Sequence, residues 1–381
     1  MSYVHILDAS ALEGLRQDLS QAPRIALDCE AAGFHRYSDR LCLLQVTTET
    51  ETYILDSLAF DPAELLRGVL EDPRIPVIMH GADYDLRLLH RDLGIRLRGL
   101  FDTQVAAALL GEQALGLQAL LESRLGVSLS KKHQRADWAE RPLTEGMLEY
   151  AADDTRHLLR LADLLTADLR AAGRDGWAAD ECRALEDNAL ERPESEPEDP
   201  VTRVKGARDL TAREVTALRE ALEWRDHLAR DRDRAPFRIV GDQPLVEAVL
   251  RRPLDQRELA DIKGFPSGLA RNDGAELLQR FDHVAQIPDE DLLPYPRGSK
   301  RGPGRPPPEV EALAEKLKSA RNRRAEELGL DRGTLMANAL VQAVALQAPG
   351  DLAALARLDG IRTWQVEVVG PVLLEVLAKR R

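Results

Sequence analysis

Two carboxylates stand one residue apart at the end of an apolar run, where Ile25, Ala26 and Leu27 lead into Asp28, Cys29 and Glu30. A short apolar run of this kind fits a buried strand. On a strand, residues i and i+2 face one side. Two acids side by side at the end of a buried element repel each other, and desolvation adds to the cost. A divalent cation removes the conflict, and hard oxygen ligands suit Mg2+ or Mn2+. Asp85 lies near the start of a helix launched by His80-Gly81-Ala82-Asp83, a place where the helix dipole favours an acid even without a ligand. Tyr150 and Asp154 are four apart and share a helix face beside Ala151 and Ala152, which leave room for a ligand. Asp153 reaches the same face, and spacing alone does not choose between the two aspartates. The loop Leu129–Pro142 gathers Lys131, Lys132, His133, Gln134 and Arg135 ahead of Asp137 and Trp138. Basic residues with one aromatic suit a phosphate contact and a stacked base; a solvated loop reads the same way.

The elements that must position these groups follow from the pattern. Residues 3–22 read as a strand and an amphipathic helix, with Leu12, Leu15 and Leu19 at spacings of three and four. Arg24–Glu30, Leu41–Thr47 and Tyr53–Asp56 make an antiparallel three-stranded start. Asp61-Pro62 opens a helix to about Leu70. Ile75–His80 is the next strand, followed by a helix over Asp83–Leu93 with Leu86, Leu89 and Leu93 as its apolar stripe. Gly99–Phe101 is a brief strand, Asp102 caps a helix to Leu110, and Leu115–Leu125 is a helix closed by Gly126. One long helix from Leu143 to about Ala171 carries Tyr150 and Asp154, and another covers about Gly176–Leu190. The mixture predicts an α/β fold, a mixed sheet with helices packed against it.

A chain of 381 residues should hold two or three domains. Residues 1–200 hold 21 Lys/Arg and 37 Asp/Glu, a net −16, against +3 for the remainder of a chain whose total is −13. An acidic half joined to a mildly basic half hints at acid-rich chemistry followed by a polyanion grip. Three cysteines without metal-ligand spacing read as buried reduced thiols, so zinc is not expected. No apolar run reaches membrane length and the N-terminus has no signal-peptide pattern, which predicts a cytoplasmic protein with no membrane partner. The acidic, Pro-rich Glu191–Pro200 reads as a linker, as does the basic, Pro/Gly-rich Pro294–Pro308.

Asp28 and Glu30, Asp85, and Tyr150 with Asp154 occur in an order that resembles the DEDD superfamily of 3′→5′ exonucleases, in its tyrosine-bearing subclass. Phe101-Asp102-Thr103-Gln104, Lys131, Gln134, Asp137-Trp138 and Arg141-Pro142-Leu143 sharpen the likeness to the ribonuclease D family. The resemblance covers roughly residues 1–190 and implies an RNase H-like exonuclease domain. Its Y-x-x-x-D spacing selects Asp154 and leaves Asp153 as an exposed neighbour. The C-terminal half resembles two small all-α HRDC bundles. The first is marked by Trp224-Arg225, Arg234-Ala235-Pro236-Phe237-Arg238 and Ile262-Lys263-Gly264; the second is recognised by helix layout and position. The domains expected are an exonuclease over 1–190, a linker over 191–207, a first HRDC domain over 208–285, a linker over 286–306 and a second HRDC-like domain over 307–381.

The resemblance further implies a metal-dependent 3′→5′ exoribonuclease that releases nucleoside 5′-monophosphates. It would process the 3′ ends of tRNA and other stable RNAs. Asp28, Glu30, Asp85 and Asp154 are expected to hold two divalent cations, Mg2+ or Mn2+, and Tyr150 to position or deprotonate the attacking water. Lys131, Lys132, Gln134, Arg135 and Trp138 are the expected substrate contacts. The partner is RNA with a free 3′ end, and the chain is expected to be a monomer. Loss of residues 200–381 should weaken binding of structured RNA more than it slows cleavage of a short oligonucleotide. A DNA-preferring exonuclease and a non-catalytic RNA-binding scaffold are the rival readings.

Overall fold

A computed structural model of the protein describes residues 3–130, 132–191, 199–296 and 306–379. Lys131 and the central parts of the Glu191–Pro200 and Pro294–Pro308 linkers lie outside the described residues.

Six strands form one mixed sheet, as the pattern predicts: β1 (Tyr3–Ile6), β2 (Ile25–Ala31), β3 (Leu41–Thr47), β4 (Thr52–Asp56), β5 (Val77–Met79) and β6 (Leu100–Asp102), in the order β1-β4-β3-β2-β5-β6. β3 and β4 are antiparallel, whereas β1 runs parallel to β4 and β5 runs parallel to both β2 and β6. β2 has neighbours on both edges. Its apolar half is therefore sealed, with Ile25, Ala26 and Leu27 fully buried. Past them the alternation emerges: Cys29 is buried while Asp28 and Glu30 are only partly so.

Helices α1 (Glu13–Gln21), α2 (Ala63–Leu70), α3 (Asp83–Leu93), α4 (Thr103–Leu110) and α5 (Leu117–Leu125) follow the expected stripes closely. The single long helix expected over 143–171 is instead two, α6 (Glu145–Arg156) and α7 (Leu158–Ala171), joined at His157. α6 packs on β3 and β4, while α7 packs on α4, so the turn lets each apolar face keep its own partner. The leucine spacing continues through His157, which hides the break. Helix α8 (Asp175–Glu191) follows.

Asp102 fixes the turn that launches α3. Its buried carboxylate accepts the backbone N–H groups of Gly81 at 3.0 Å, Ala82 at 2.8 Å and Gln104 at 2.8 Å. Gly81 holds φ +69°, a left-handed conformation that glycine tolerates best. Removing the acceptor orphans several donors at once, so Asp102→Ala should cost about 3 kcal/mol of unfolding free energy, read as a lower urea midpoint at unchanged slope.

The chain divides into two compact units, one of Met1–Glu30, Leu41–Arg192 and Gly302–Arg381, the other of Ala31–Arg40 and Pro193–Arg301. The second unit holds α9 (Ala212–Asp231), α10 (Pro236–Ile239), α11 (Asp242–Arg251), α12 (Gln256–Ala260) and α13 (Ser267–Gln286) around a fully buried Trp224 stacked with Phe265. α9 starts at a capping box formed by Thr211 and Glu214. The loop Ala31–Arg40 packs within this unit. The Tyr37 hydroxyl donates to Asp226 at 3.1 Å, and the Phe34 ring lies 5.6 Å from that of Phe237.

The last helices, α14 (Pro308–Leu328), α15 (Arg332–Leu335), α16 (Asn338–Gln347), α17 (Leu352–Leu355), α18 (Thr363–Val368) and α19 (Gly370–Ala378), belong to the first unit. One hydrophobic cluster runs from Ala26 and Ile78 in the sheet through Leu158 and Leu165 of α7 to Leu317, Trp364 and Leu373. Trp177 of α8 stacks on Trp364 at 4.7 Å, and Glu181 accepts the Trp364 indole N–H at 2.9 Å. Arg174 donates to the carbonyls of Leu109 at 2.7 Å and Leu328 at 2.6 Å, closing the ends of α4 and α14 together.

Candidate active site

The strand β2 and the helix α6 bring their acids to one place. One carboxylate oxygen from each of Asp28, Glu30 and Asp154 lies within 4.8 Å of the other two, the one gathering of three potential metal-ligand side chains at that spacing among the described residues. Asp28 and Glu30 arrive there through strand alternation. Asp154 arrives because α6 lies across β3 and β4. Asp85, in the first turn of α3, is buried outside that trio. It is close enough that the charges of Asp28 and Asp154 act on it.

The electrostatics are those of acids held together without compensation. Burial raises Asp28 to about 7, opposed only by the Cys29 backbone N–H. Burial raises Asp154 to about 9, with the charges of Asp28 and Asp153 adding to it. Glu30 is pushed well up by burial and then by Asp28, Asp154 and Asp85. Asp85 rises through burial, then through Asp28 and Asp102, with Arg87 opposing. Tyr150 stands beside Asp154 on α6, and burial followed by the charges of Asp154, Glu30 and Asp28 raises its phenol above the ordinary value. Desolvation and like-charge repulsion thus make the ionised cluster costly without a counter-ion. An all-oxygen carboxylate set of this spacing suits a hard divalent cation.

The two neighbouring aspartates separate cleanly. Asp153 turns to Arg156, with which it forms an ion pair, and it is half-buried rather than the exposed neighbour expected. Asp154 alone of the two joins Asp28 and Glu30. Cys29 lies between the two acids in sequence, but burial and the surrounding carboxylates hold its thiol well above the ordinary range, which disfavours a thiolate nucleophile.

The basic loop needs one correction. Trp138, expected as a platform for a base, is only 2% exposed, and its ring lies 6.0 Å from that of Tyr150. An indole already covered by protein offers no face for stacking. Lys132, Gln134 and Arg135 stand exposed on the same loop. Two further neighbours of the site are not among the expected residues. His133 sets its ring edge-on to Tyr150 at 6.5 Å. Arg141 forms a two-pronged ion pair with Asp56, through Nε at 2.6 Å and a terminal nitrogen at 2.7 Å. Its partner lies 85 positions away, so no local pattern announces it.

Known proteins match the chain along its whole length. A family model described as a 3′-5′ exonuclease matches residues 3–170, and one described as an HRDC domain matches residues 205–280 and 310–377. The chain is 30% identical to the ribonuclease D of Pseudomonas paraeruginosa, over 97% of this chain and 96% of that one. Its structure is similar to that of Escherichia coli RNase D, described as an exoribonuclease involved in structured RNA processing, with a TM-score of 0.67 at 27% identity over 100% and 99% of the two chains. It is also similar to the catalytic core of RRP6 from Trypanosoma brucei, with a TM-score of 0.65 at 29% identity over 74% and 80%.

Proposed function

The chain belongs to the ribonuclease D family and is a 3′→5′ exoribonuclease, and from that premise we propose how its acids work and on what. The carrying observation is the meeting of Asp28, Glu30 and Asp154, with Tyr150 beside the last. In this reading Asp28, Glu30 and Asp154 hold divalent cations, Mg2+ or Mn2+, and Asp85 supports them from α3. Two such ions, when bound, stabilise the attacking and leaving oxygens of a phosphodiester in line. The cluster's raised pKa values support this, because a cation would replace the protons that otherwise relieve the crowding.

Tyr150 is the group that orients the attacking water. Its phenol ordinarily titrates near 10 and is shifted upward here, so at neutral pH it stays protonated and serves as a hydrogen-bond partner rather than a base. Hydrolysis at the last phosphodiester then frees one nucleoside 5′-monophosphate and leaves a new 3′ hydroxyl.

The substrate we assign is RNA with a free 3′ end, tRNA precursors in particular, met in the cytoplasm. The relatives support RNA over DNA. Lys132, Gln134 and Arg135 provide exposed polar groups for backbone phosphates; Lys131 completes the same stretch of sequence. No helix among the described residues is long and apolar enough to cross a membrane. We assign the exonuclease to residues 1–190 and the two HRDC segments to 208–285 and 307–381, a division that the family matches over 3–170, 205–280 and 310–377 support.

A 5′-labelled tRNA with a 3′ extension tests the reading. In Mg2+ or Mn2+ the products should shorten in single-nucleotide steps, with nucleoside 5′-monophosphates accumulating. Excess EDTA should stop the reaction. Internal cuts, or equal shortening of a matched DNA, would count against it.

A further inference from the structure

Trp138 lies in a loop, yet it is nearly as well buried as a core side chain. Its placement is explained by Arg141. One terminal nitrogen of that guanidinium donates to the carbonyl of Trp138 at 2.7 Å and to that of Glu140 at 2.8 Å. The rest of the guanidinium grips Asp56, the last residue of β4 and 1% exposed. A planar fork with both prongs engaged has little freedom to swing. The loop is therefore fastened to the sheet where it carries the indole.

What the indole touches is Tyr150. The two rings lie 6.0 Å apart, tilted by 35°, with His133 edge-on at 6.5 Å on the same phenol. Asp154, one helical turn along, acts on the phenol only at its oxygen end. A helical tyrosine held at one end can still rock about its first side-chain torsions unless neighbouring rings block them. Trp138 and His133 supply that block.

We propose that Trp138, held by the Arg141–Asp56 pair, is a positioning residue that fixes the Tyr150 phenol against the acid cluster, and that it makes no contact with RNA. The inference rests on the exoribonuclease reading above and names the part of the chain on which Tyr150 depends.

A double-mutant cycle tests it. In single turnover at saturating short RNA, Trp138→Ala should slow cleavage about 10²-fold, the scale of a small misplacement of a reacting group. RNA affinity should stay within about threefold, because ground-state binding does not involve the indole. Trp138→Phe keeps a ring against the phenol and should recover most of the rate at a melting temperature near that of the wild type. In a Tyr150→Phe background the further Trp138→Ala change should cost less than about threefold, since the group it positions has already lost its hydroxyl. Equal costs in both backgrounds would overturn the proposal. So would a loss that appears in affinity instead of rate. A wild type that frees no nucleotide from any RNA would overturn the exoribonuclease reading as well, so the two failures are told apart.

Discussion

Replacing Asp28 by Asn should abolish nucleotide release, by on the order of 10³-fold, while making the metal-free protein more stable at neutral pH. The two effects have one cause. Asp28 belongs to the crowded trio and adds to the raised pKa of Glu30, Asp85 and Asp154. An amide of nearly the same shape removes the charge that strains the folded state and with it a ligand oxygen of full negative charge. The gain should be on the order of 2 kcal/mol, since a tenfold change in proton affinity corresponds to about 1.4 kcal/mol and the group is partly open to solvent. Thermal melts in EDTA would read it. Adding Mg2+ or Mn2+ should raise the melting temperature of the wild type and leave that of Asp28→Asn almost unmoved. A variant that is less stable in EDTA, or that still trims RNA at a normal rate, would remove Asp28 from its assigned place.

The same raised pKa values predict how stability changes with pH. Below about pH 4 the acids are protonated in both the folded and the unfolded chain and contribute nothing to the balance. As pH rises past that point the unfolded chain releases its protons, while folded Asp28 keeps its own to about 7 and Asp154 to about 9. The folded state then binds more protons than the unfolded one, so this cluster's contribution falls with rising pH across that window and levels off above it. Saturating divalent cation should flatten the slope, because it supplies the compensation that protons supply in its absence. A wild-type melting temperature in EDTA that climbs from pH 6 to 9, and falls over the same range in Asp28→Asn, would contradict this account.

The acids were legible because each sits in an element whose period shows in the sequence. Strand alternation puts Asp28 and Glu30 on one face, and a four-residue helical spacing pairs Tyr150 with Asp154. Helical geometry left Asp153 and Asp154 open and only the family likeness selected Asp154; in the fold Arg156 pairs with Asp153 instead. Trp138 misled for a related reason. Its burial is set by Arg141 reaching Asp56 across the chain, whereas the flanking residues alone describe a basic surface loop. Helical stripes likewise show that α14 to α19 have apolar faces without saying what those faces cover.

What they cover changes the expected result of truncation. If the last helices formed a detachable RNA grip, removing them would weaken binding and spare the chemistry. They instead share one hydrophobic cluster with the sheet and α7, so a chain ending at residue 305 would expose apolar surface on α4, α7 and α8. We expect such a chain to lose cooperative unfolding and to aggregate, with activity lost through the fold rather than through RNA affinity. A milder probe is Trp364→Ala. Trp364 is 3% exposed, stacks on Trp177 and satisfies Glu181. Its removal leaves a cavity and takes the indole donor from one oxygen of Glu181, whose other oxygen stays paired with Arg362, and should cost about 3–5 kcal/mol by urea denaturation. That is a large share of the roughly 5–15 kcal/mol that holds an ordinary domain together. At low temperature, where the variant is still folded, cleavage of a short oligonucleotide should run near the wild-type rate, because the stack lies on α8 and α18 rather than on β2 or α6. A chain ending at residue 305 that melts cooperatively and trims a short oligonucleotide normally would show that the last helices are dispensable to the core after all.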